Sequence, residues 1–233
     1  MQIKDYIKEN KIYVITGNSG SGKSTLINDI EMNKKIGIIN EDSIKCNLVS
    51  EQIEYYDKKY AFKINELNDR KNEIIKMLEI DDNILNKSIY EISESEYVKV
   101  AIASVLLYNP EIIIIDELLD SLDFKNKEKI FKLFIKLKKF FRKKIVVITS
   151  NVDDIYEFID YIIIVDEGKI ILHGNKYEVY NNYDLLKEKN IHIPNIVTFI
   201  KKMRDKGVKL DNVDNTNELI KTIYREIRWF FEI

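Results

Sequence analysis

The sequence predicts an α/β fold, a parallel sheet flanked by helices, and three observations predict it. Short Ile/Val runs are apolar at consecutive positions, as strands buried on both faces are. Helical patterns separate these runs, so strands and helices alternate along the chain. The 233 residues are 45% hydrophobic and 33% charged, which suits one sizeable cored domain with an appendage.

The strand candidates are Ile12–Thr16, Ile36–Ile39, 112–115 and 145–149. Two more, 161–165 and 169–172, flank Asp166-Glu167-Gly168 and read as a hairpin. Residues 44–90 are charged and helix-prone with no clear strand, and are expected to form a helical insertion between two core strands. After about residue 175 the character changes to a small helical C-terminal region. There Pro194 suits the first turn of a helix ending at Gly207, and Asn215 with Glu218 resembles a capping box for a last helix through Trp229. The expected organisation is a core over 1–175, with the insertion at about 44–92, and a region over 176–233.

Charge and composition exclude several function classes. A net charge of −2 argues against a nucleic-acid binder that relies on bulk positive charge. The single cysteine, Cys46, allows no intramolecular disulfide and fits a reducing compartment. Residues 1–10 are polar, so no signal peptide is expected there. No apolar stretch reaches the roughly 20 residues that span a bilayer, so the chain is expected to meet a membrane through a partner.

Three of the chain's seven glycines fall in one loop, Gly17-Asn18-Ser19-Gly20-Ser21-Gly22-Lys23-Ser24-Thr25. A strand precedes it and an apolar helical start (Leu26, Ile27, Ile30) follows, the context a phosphate-binding P-loop requires. Glycines let backbone N–H groups turn inward toward phosphate oxygens, and a helix N-terminus adds its positive end. Lys23 would reach the β- and γ-phosphates and Ser24 would ligate Mg²⁺. The expected ligand is therefore ATP with Mg²⁺. The run 112–115 ends in Asp116-Glu117, at the strand end where open α/β sheets bind ligands. Asp116 would hold Mg²⁺ through water, and Glu117 could orient or deprotonate the attacking water.

From Ser93-Glu94-Ser95-Glu96 the chain runs through Val100-Ala101-Ile102-Ala103 and Leu106-Leu107-Tyr108-Asn109-Pro110 to Asp116-Glu117 and Ser121-Leu122-Asp123. That order resembles the signature helix, Walker B strand and D-loop of ABC ATPases. Leu185-Leu186-Lys187, Ile193-Pro194, Gly207-Val208 and Glu218-Leu219 look like the tail of the ATP-binding subunits of energy-coupling factor (ECF) transporters. The resemblance runs from about residue 11 to 222. It implies a P-loop NTPase fold and a second ABC ATPase subunit, identical or different. It also implies a transmembrane transporter subunit, contacted through residues 44–90, and a peripheral place on the cytoplasmic face of the membrane.

The departures from that family are specific. The usual LSGGQ signature reads Ile-Ser-Glu-Ser-Glu over 92–96, with Glu94 and Ser95 where glycines stand. The family uses this segment to donate N–H groups to the γ-phosphate of the other subunit. Ser93 and Glu96 are also a capping box for the helix that follows, and capping without phosphate contact is the favoured reading. Ser150 stands at the switch-histidine position, and Glu41 at the Q-loop glutamine position, where it would still offer Mg²⁺ an oxygen. The family's antiparallel β subdomain looks reduced, because Lys23 to Glu41 leaves little room for strands. Its adenine-stacking aromatic has no clear counterpart. Tyr6 could stand in, as a disfavoured reading.

Along 124–144, Ile130, Phe134, Leu137 and Phe141 share a face that should meet the core, with Lys125, Lys132, Lys136 and Lys139 largely elsewhere. A solvated basic side is the default there, and an anionic membrane surface the rival reading. His173 and His192 are isolated and carry no assigned role. Tyr224, Trp229, Phe230 and Phe231 form an aromatic end suited equally to a partner and to the chain's own core. The leading expectation is an ABC-type ATP-binding subunit of an ECF-like importer. The rivals are a non-catalytic ATP-binding partner, motivated by the altered signature and missing histidine, and a small-molecule kinase, disfavoured by the signature-like helix.

Overall fold

The computed structural model describes residues 3–28, 35–60 and 67–231, except the side chains of Lys4, Asn28, Asp57, Tyr60, Leu67 and 227–231. Ile30 of the expected helical start and the side chains of Trp229, Phe230 and Phe231 lie outside what is described.

Six strands form one sheet in the order β2-β3-β4-β1-β5-β6. They are β1 (Ile12–Thr16), β2 (Ile36–Ile39), β3 (Ile112–Asp116), β4 (Lys144–Ile148), β5 (Tyr161–Asp166) and β6 (Lys169–Gly174). The first five run parallel, and β6 returns antiparallel to β5. The consecutive Ile/Val residues follow from helices covering both faces: every residue of β1 is buried. Each such side chain removed from water contributes roughly 1.5–3 kcal/mol. In register, Asp116 lies opposite Ile148, and Ile39 opposite Ile115. The carboxyl ends of β1, β2, β3 and β4 therefore share one edge.

Nine α-helices appear among the described residues. After α1 (Thr25–Asn28) and β2 come α2 (Val49–Tyr60) and α3 (Leu67–Met77), both before β3 in chain order. Helix α4 (Glu94–Leu107) is buried almost all round its last three turns, between the sheet and α2. Buried Gln52 ties α2 to the turn after β2. Its Oε1 accepts from the N–H groups of Lys45 (2.7 Å) and Cys46 (3.1 Å), and its Nε2 donates to the Ser43 carbonyl (3.0 Å). Helix α5 (Phe124–Phe141) buries Ile130, Phe134 and Leu137 as expected. Phe141 does not join them. It is 56% exposed, because Arg142 closes the helix in a left-handed cap and the last turn overhangs the core.

Helices α6 (Lys176–Tyr180) and α7 (Tyr183–Glu188) place Val179, Tyr180 and Leu186 in the main core. Helices α8 (Asn195–Asp205) and α9 (Thr216–Phe231) share a separate small cluster of Ile200, Leu210, Val213 and Leu219. Pro194 precedes α8, and Gly207 follows it at φ +86°. Asn215 accepts from the Glu218 N–H (3.0 Å), while the Glu218 carboxylate reaches the N–H of Asp214 (2.7 Å), one residue before the expected partner. Among the described residues, antiparallel pairing is limited to β5–β6 and one bridge between Leu48 and Ser88, so no antiparallel subdomain is present there.

Candidate nucleotide site

Residues 17–25 leave the end of β1 as a loop packed on the β5–β6 turn. A Cβ on Gly17 would lie 2.1 Å from the Val165 carbonyl oxygen, and one on Gly22 2.9 Å from Gly168 Cα, so both positions exclude a side chain. Gly168 N–H donates to the Ser21 carbonyl (2.7 Å) and fastens the loop to that turn. Lys23 is only 4% exposed and lies within the loop, where its ammonium donates to the carbonyls of Gly17 (3.1 Å) and Asn18 (3.0 Å). The Ser21 hydroxyl is buried without a partner among the described residues. Ser19, Gly20 and Thr25 are exposed.

The end of β3 comes to the same place. Ser24 Oγ donates to Asp116 Oδ1 at 3.4 Å, although β4 separates their strands. Burial, then the charge of Glu117, raises the Asp116 carboxyl above its usual range; the Ser24 hydrogen bond and Lys23 oppose that rise. Glu117 adopts φ +55°, uncommon for a side-chain-bearing residue, with its N–H pinned to the Ile148 carbonyl (3.0 Å) and its side chain exposed. These groups fit a nucleoside triphosphate with a hard divalent cation. A hydroxyl and a carboxylate oxygen stand side by side, and the nearby ammonium has only neutral backbone acceptors.

The remaining candidates sit on the same edge with different neighbours. Glu41 opens a 3₁₀ turn after β2 and is exposed, and Tyr97 donates its hydroxyl to the Glu41 carbonyl (3.2 Å). Ser150 is exposed just past β4. Its neighbour Thr149 is buried and donates to Asp120 (2.6 Å). Asp123 caps α5, accepting from the Asn126 N–H (2.8 Å). Ser93 caps α4: the Ser93 N–H donates to Glu96 Oε2 (2.7 Å), and Ser93 Oγ accepts from the Glu96 N–H (3.4 Å).

Three features escaped the sequence reading. Asn18 of the loop donates to the carbonyl of Lys189 (3.1 Å), and Lys189 pairs with Asp166 of the β5–β6 turn (3.1 Å), so the end of α7 touches the phosphate loop. Tyr6 packs edge-on against His173 with centroids 4.7 Å apart, and His173 accepts from or donates to the Tyr161 hydroxyl (2.8 Å). Tyr161 begins β5, so this cluster occupies the edge opposite the loop, and Tyr6 does not face a nucleotide there. His192 pairs with Asp153 (2.6 Å). No local spacing relates residues this far apart in the chain.

Residues 1–120 match the family described as ABC transporter. The energy-coupling factor transporter ATP-binding protein EcfA2 of Mycoplasma capricolum subsp. capricolum is 28% identical over 237 residues, spanning 88% of this chain and 82% of that protein. The dimeric ABC transporter cassette MJ0796 superposes with a TM-score of 0.62 at 28% identity, over 72% of this chain and 87% of that one. CbiO1 from Clostridium perfringens, part of the ABC transporter complex CbiONQ, shares the fold, with a TM-score of 0.66 at 23% identity over 84% and 89% of the two chains. The phosphate loop and the Asp116-Glu117 pair both fall inside the matched residues, and the chain belongs to the ABC transporter family.

Proposed function

We propose that this chain is an ATP-binding, ATP-hydrolysing subunit that energises an ECF-like membrane importer through ATP-driven closure of an ATPase dimer. The observation that carries this reading is the meeting of Ser24 and Asp116 at 3.4 Å beside Lys23 and Glu117. The names of curated relatives support the importer, and the dimeric cassette supports a paired subunit.

In this reading the loop N–H groups of residues 17–25 and the Lys23 ammonium hold the phosphates. Lys23 exchanges its carbonyl partners for phosphate oxygens, which are stronger acceptors. Ser24, Asp116 and Glu41 supply oxygens for Mg²⁺, and that ion would lower the raised Asp116 carboxyl by its positive charge. Mg²⁺ held by these oxygens would supply positive charge against that developing on the phosphates. Glu117, exposed at the edge where a second subunit closes, orients the attacking water and accepts its proton. Ser150 offers a hydroxyl where the family has a histidine, so it hydrogen-bonds without supplying charge. The partner is a second ABC ATPase subunit, and residues 44–90, with exposed Leu48 and Tyr90, dock on a transmembrane subunit. No helix among the described residues is long and apolar enough to cross a membrane. A peripheral place on the cytoplasmic face accompanies this assignment.

One observation favours a second reading, a binding-only partner. The start of α4 carries Glu94 and Glu96 and a closed capping box, which suits capping better than phosphate contact. The isolated chain should hydrolyse ATP slowly and the complex with its partner faster under either reading, and turnover of the complex carrying Glu117→Gln in this chain separates the two. Robust turnover by the isolated chain, abolished by Glu117→Gln, would contradict the need for a second subunit.

A further inference from the structure

Helix α5 carries Lys125, Lys129, Lys132, Lys136 and Lys139 at spacings of four, three, four and three, which puts them on one face. All five are exposed. From Lys125 to Lys139 the stripe is roughly 21 Å long at the helical rise of about 1.5 Å per residue. Two of the five are matched by carboxylates, Lys129 by Glu79 (3.0 Å) and Lys132 by Glu128 (2.6 Å). Among the described residues, no carboxylate lies within ion-pair distance of Lys125, Lys136, Lys139 or Arg142. The chain as a whole is net −2, so this positive surface is a local concentration.

The stripe ends in an aromatic pair. Phe140 and Phe141 are 70% and 56% exposed on the overhanging last turn, beside the left-handed Arg142. Phe141 also lines a groove of about 370 Å³ between α3, α4 and α5, together with Ile74, Met77, Leu106, Leu137 and the acidic Asp69 and Glu73. A solvated basic face explains the lysines but not two adjacent phenylalanines left in water.

We propose that this tip is a membrane-contact surface for anionic phospholipid headgroups, with Phe140 and Phe141 entering the interface and Lys136, Lys139 and Arg142 meeting phosphates. Two arguments select a bilayer over a protein. Lysine is depleted at the cores of protein interfaces, whereas basic side chains flanking exposed aromatics match an anionic lipid surface. The tip also leads into the amino end of β4, the opposite sheet edge from the phosphate loop. Closure of two subunits over the nucleotide therefore leaves it free. The contact is independent of ATP chemistry and holds whether or not this chain hydrolyses ATP.

The test is sedimentation of the full chain with vesicles of phosphatidylcholine alone and of phosphatidylcholine with phosphatidylglycerol. Binding is expected only to the anionic vesicles and should weaken as salt rises. Phe140→Ser with Phe141→Ser, and separately Lys136→Glu with Lys139→Glu, should each lower partitioning at least about tenfold. Both pairs are exposed, so the thermal midpoint should stay near the parent's, and Lys23→Ala should bind vesicles like the parent. Absence of binding to anionic vesicles overturns the proposal, as does equal binding by the variants. Loss of assembly with a membrane subunit in lipid-free detergent by the same variants would assign the tip to a protein and also overturn it.

Discussion

Two segments of this chain lead into helices that the ABC family uses to grip phosphate, and they differ in what stands in the first turn. Before α1 the loop is glycine-rich, its first helical turn holds no acid, and Lys23 is drawn inside it. Before α4, Ser93 and Glu96 close a capping box, and Glu94 and Glu96 occupy the first turn. Both starts present N–H groups, but in the second the Glu96 N–H donates to the Ser93 cap and the positive helix end faces two carboxylates. Coulomb's law at an effective dielectric of about 20 puts a carboxylate roughly 5 Å from a phosphate charge at ~3 kcal/mol of repulsion. A helix N-terminus is thus an anion site only when its first turn leaves it one.

The largest effect expected from this contrast is at the first segment. Lys23→Ala should weaken ATP binding at least about a hundredfold, on the scale of two charge-assisted hydrogen bonds, while the circular dichroism spectrum is unchanged. Equal affinity by titration calorimetry would break the comparison at its stronger end.

The second segment should respond in the opposite direction. Glu94→Gly with Ser95→Gly should raise turnover of the assembled complex about tenfold, less than the unscreened repulsion implies because Glu94 is exposed. The glycines weaken the helix by roughly 1 kcal/mol each, so the assay belongs well below the variant's melting temperature. Unchanged turnover would place the start of α4 away from any phosphate.

A smaller effect isolates the cap. Ser93→Ala should lower the thermal midpoint by roughly 2–4 °C, the scale of ~1 kcal/mol in a chain this long, and leave nucleotide affinity of the isolated chain unaltered. A shift in affinity without a shift in midpoint would give Ser93 a ligand role instead.

The smallest expected change concerns Asp116. Its carboxyl titrates above the usual range, so the folded chain holds that proton more tightly than the unfolded chain. The charge then carries no penalty below the ordinary carboxylate pKa and its full penalty above the raised one, neutral pH included. Asp116→Asn should therefore raise the nucleotide-free thermal midpoint, by roughly 2 °C, and remove the stabilisation that Mg²⁺ adds to ATP. Differential scanning fluorimetry with and without Mg²⁺ reads both, and a lowered nucleotide-free midpoint would contradict the account.

The parallel strands were legible because five runs such as Ile12–Thr16 are buried on both faces and carry no competing period. The phosphate loop and Asp116-Glu117 were legible because their chemistry is local to a strand end. The caps at Ser93 and Asn215 were legible for the same reason, since their partners lie three residues away. Contacts between distant segments were not. The Asn18–Lys189 hydrogen bond, the Thr149–Asp120 pair and the Tyr6–His173 packing depend on which strand ends share an edge. Helical periodicity puts Phe141 on the core face, and it is exposed because periodicity does not show where the sheet beneath it stops.

The central claim is that the Asp116-Glu117 end of β3 works beside an intact phosphate loop, so that this chain carries hydrolysis rather than binding alone. The direct measurement is steady-state ATP turnover of the assembled complex containing Glu117→Gln in this chain and an unaltered partner. The account predicts loss of most of the activity with ATP binding retained. Full activity would contradict it and make this chain the binding-only member of the pair.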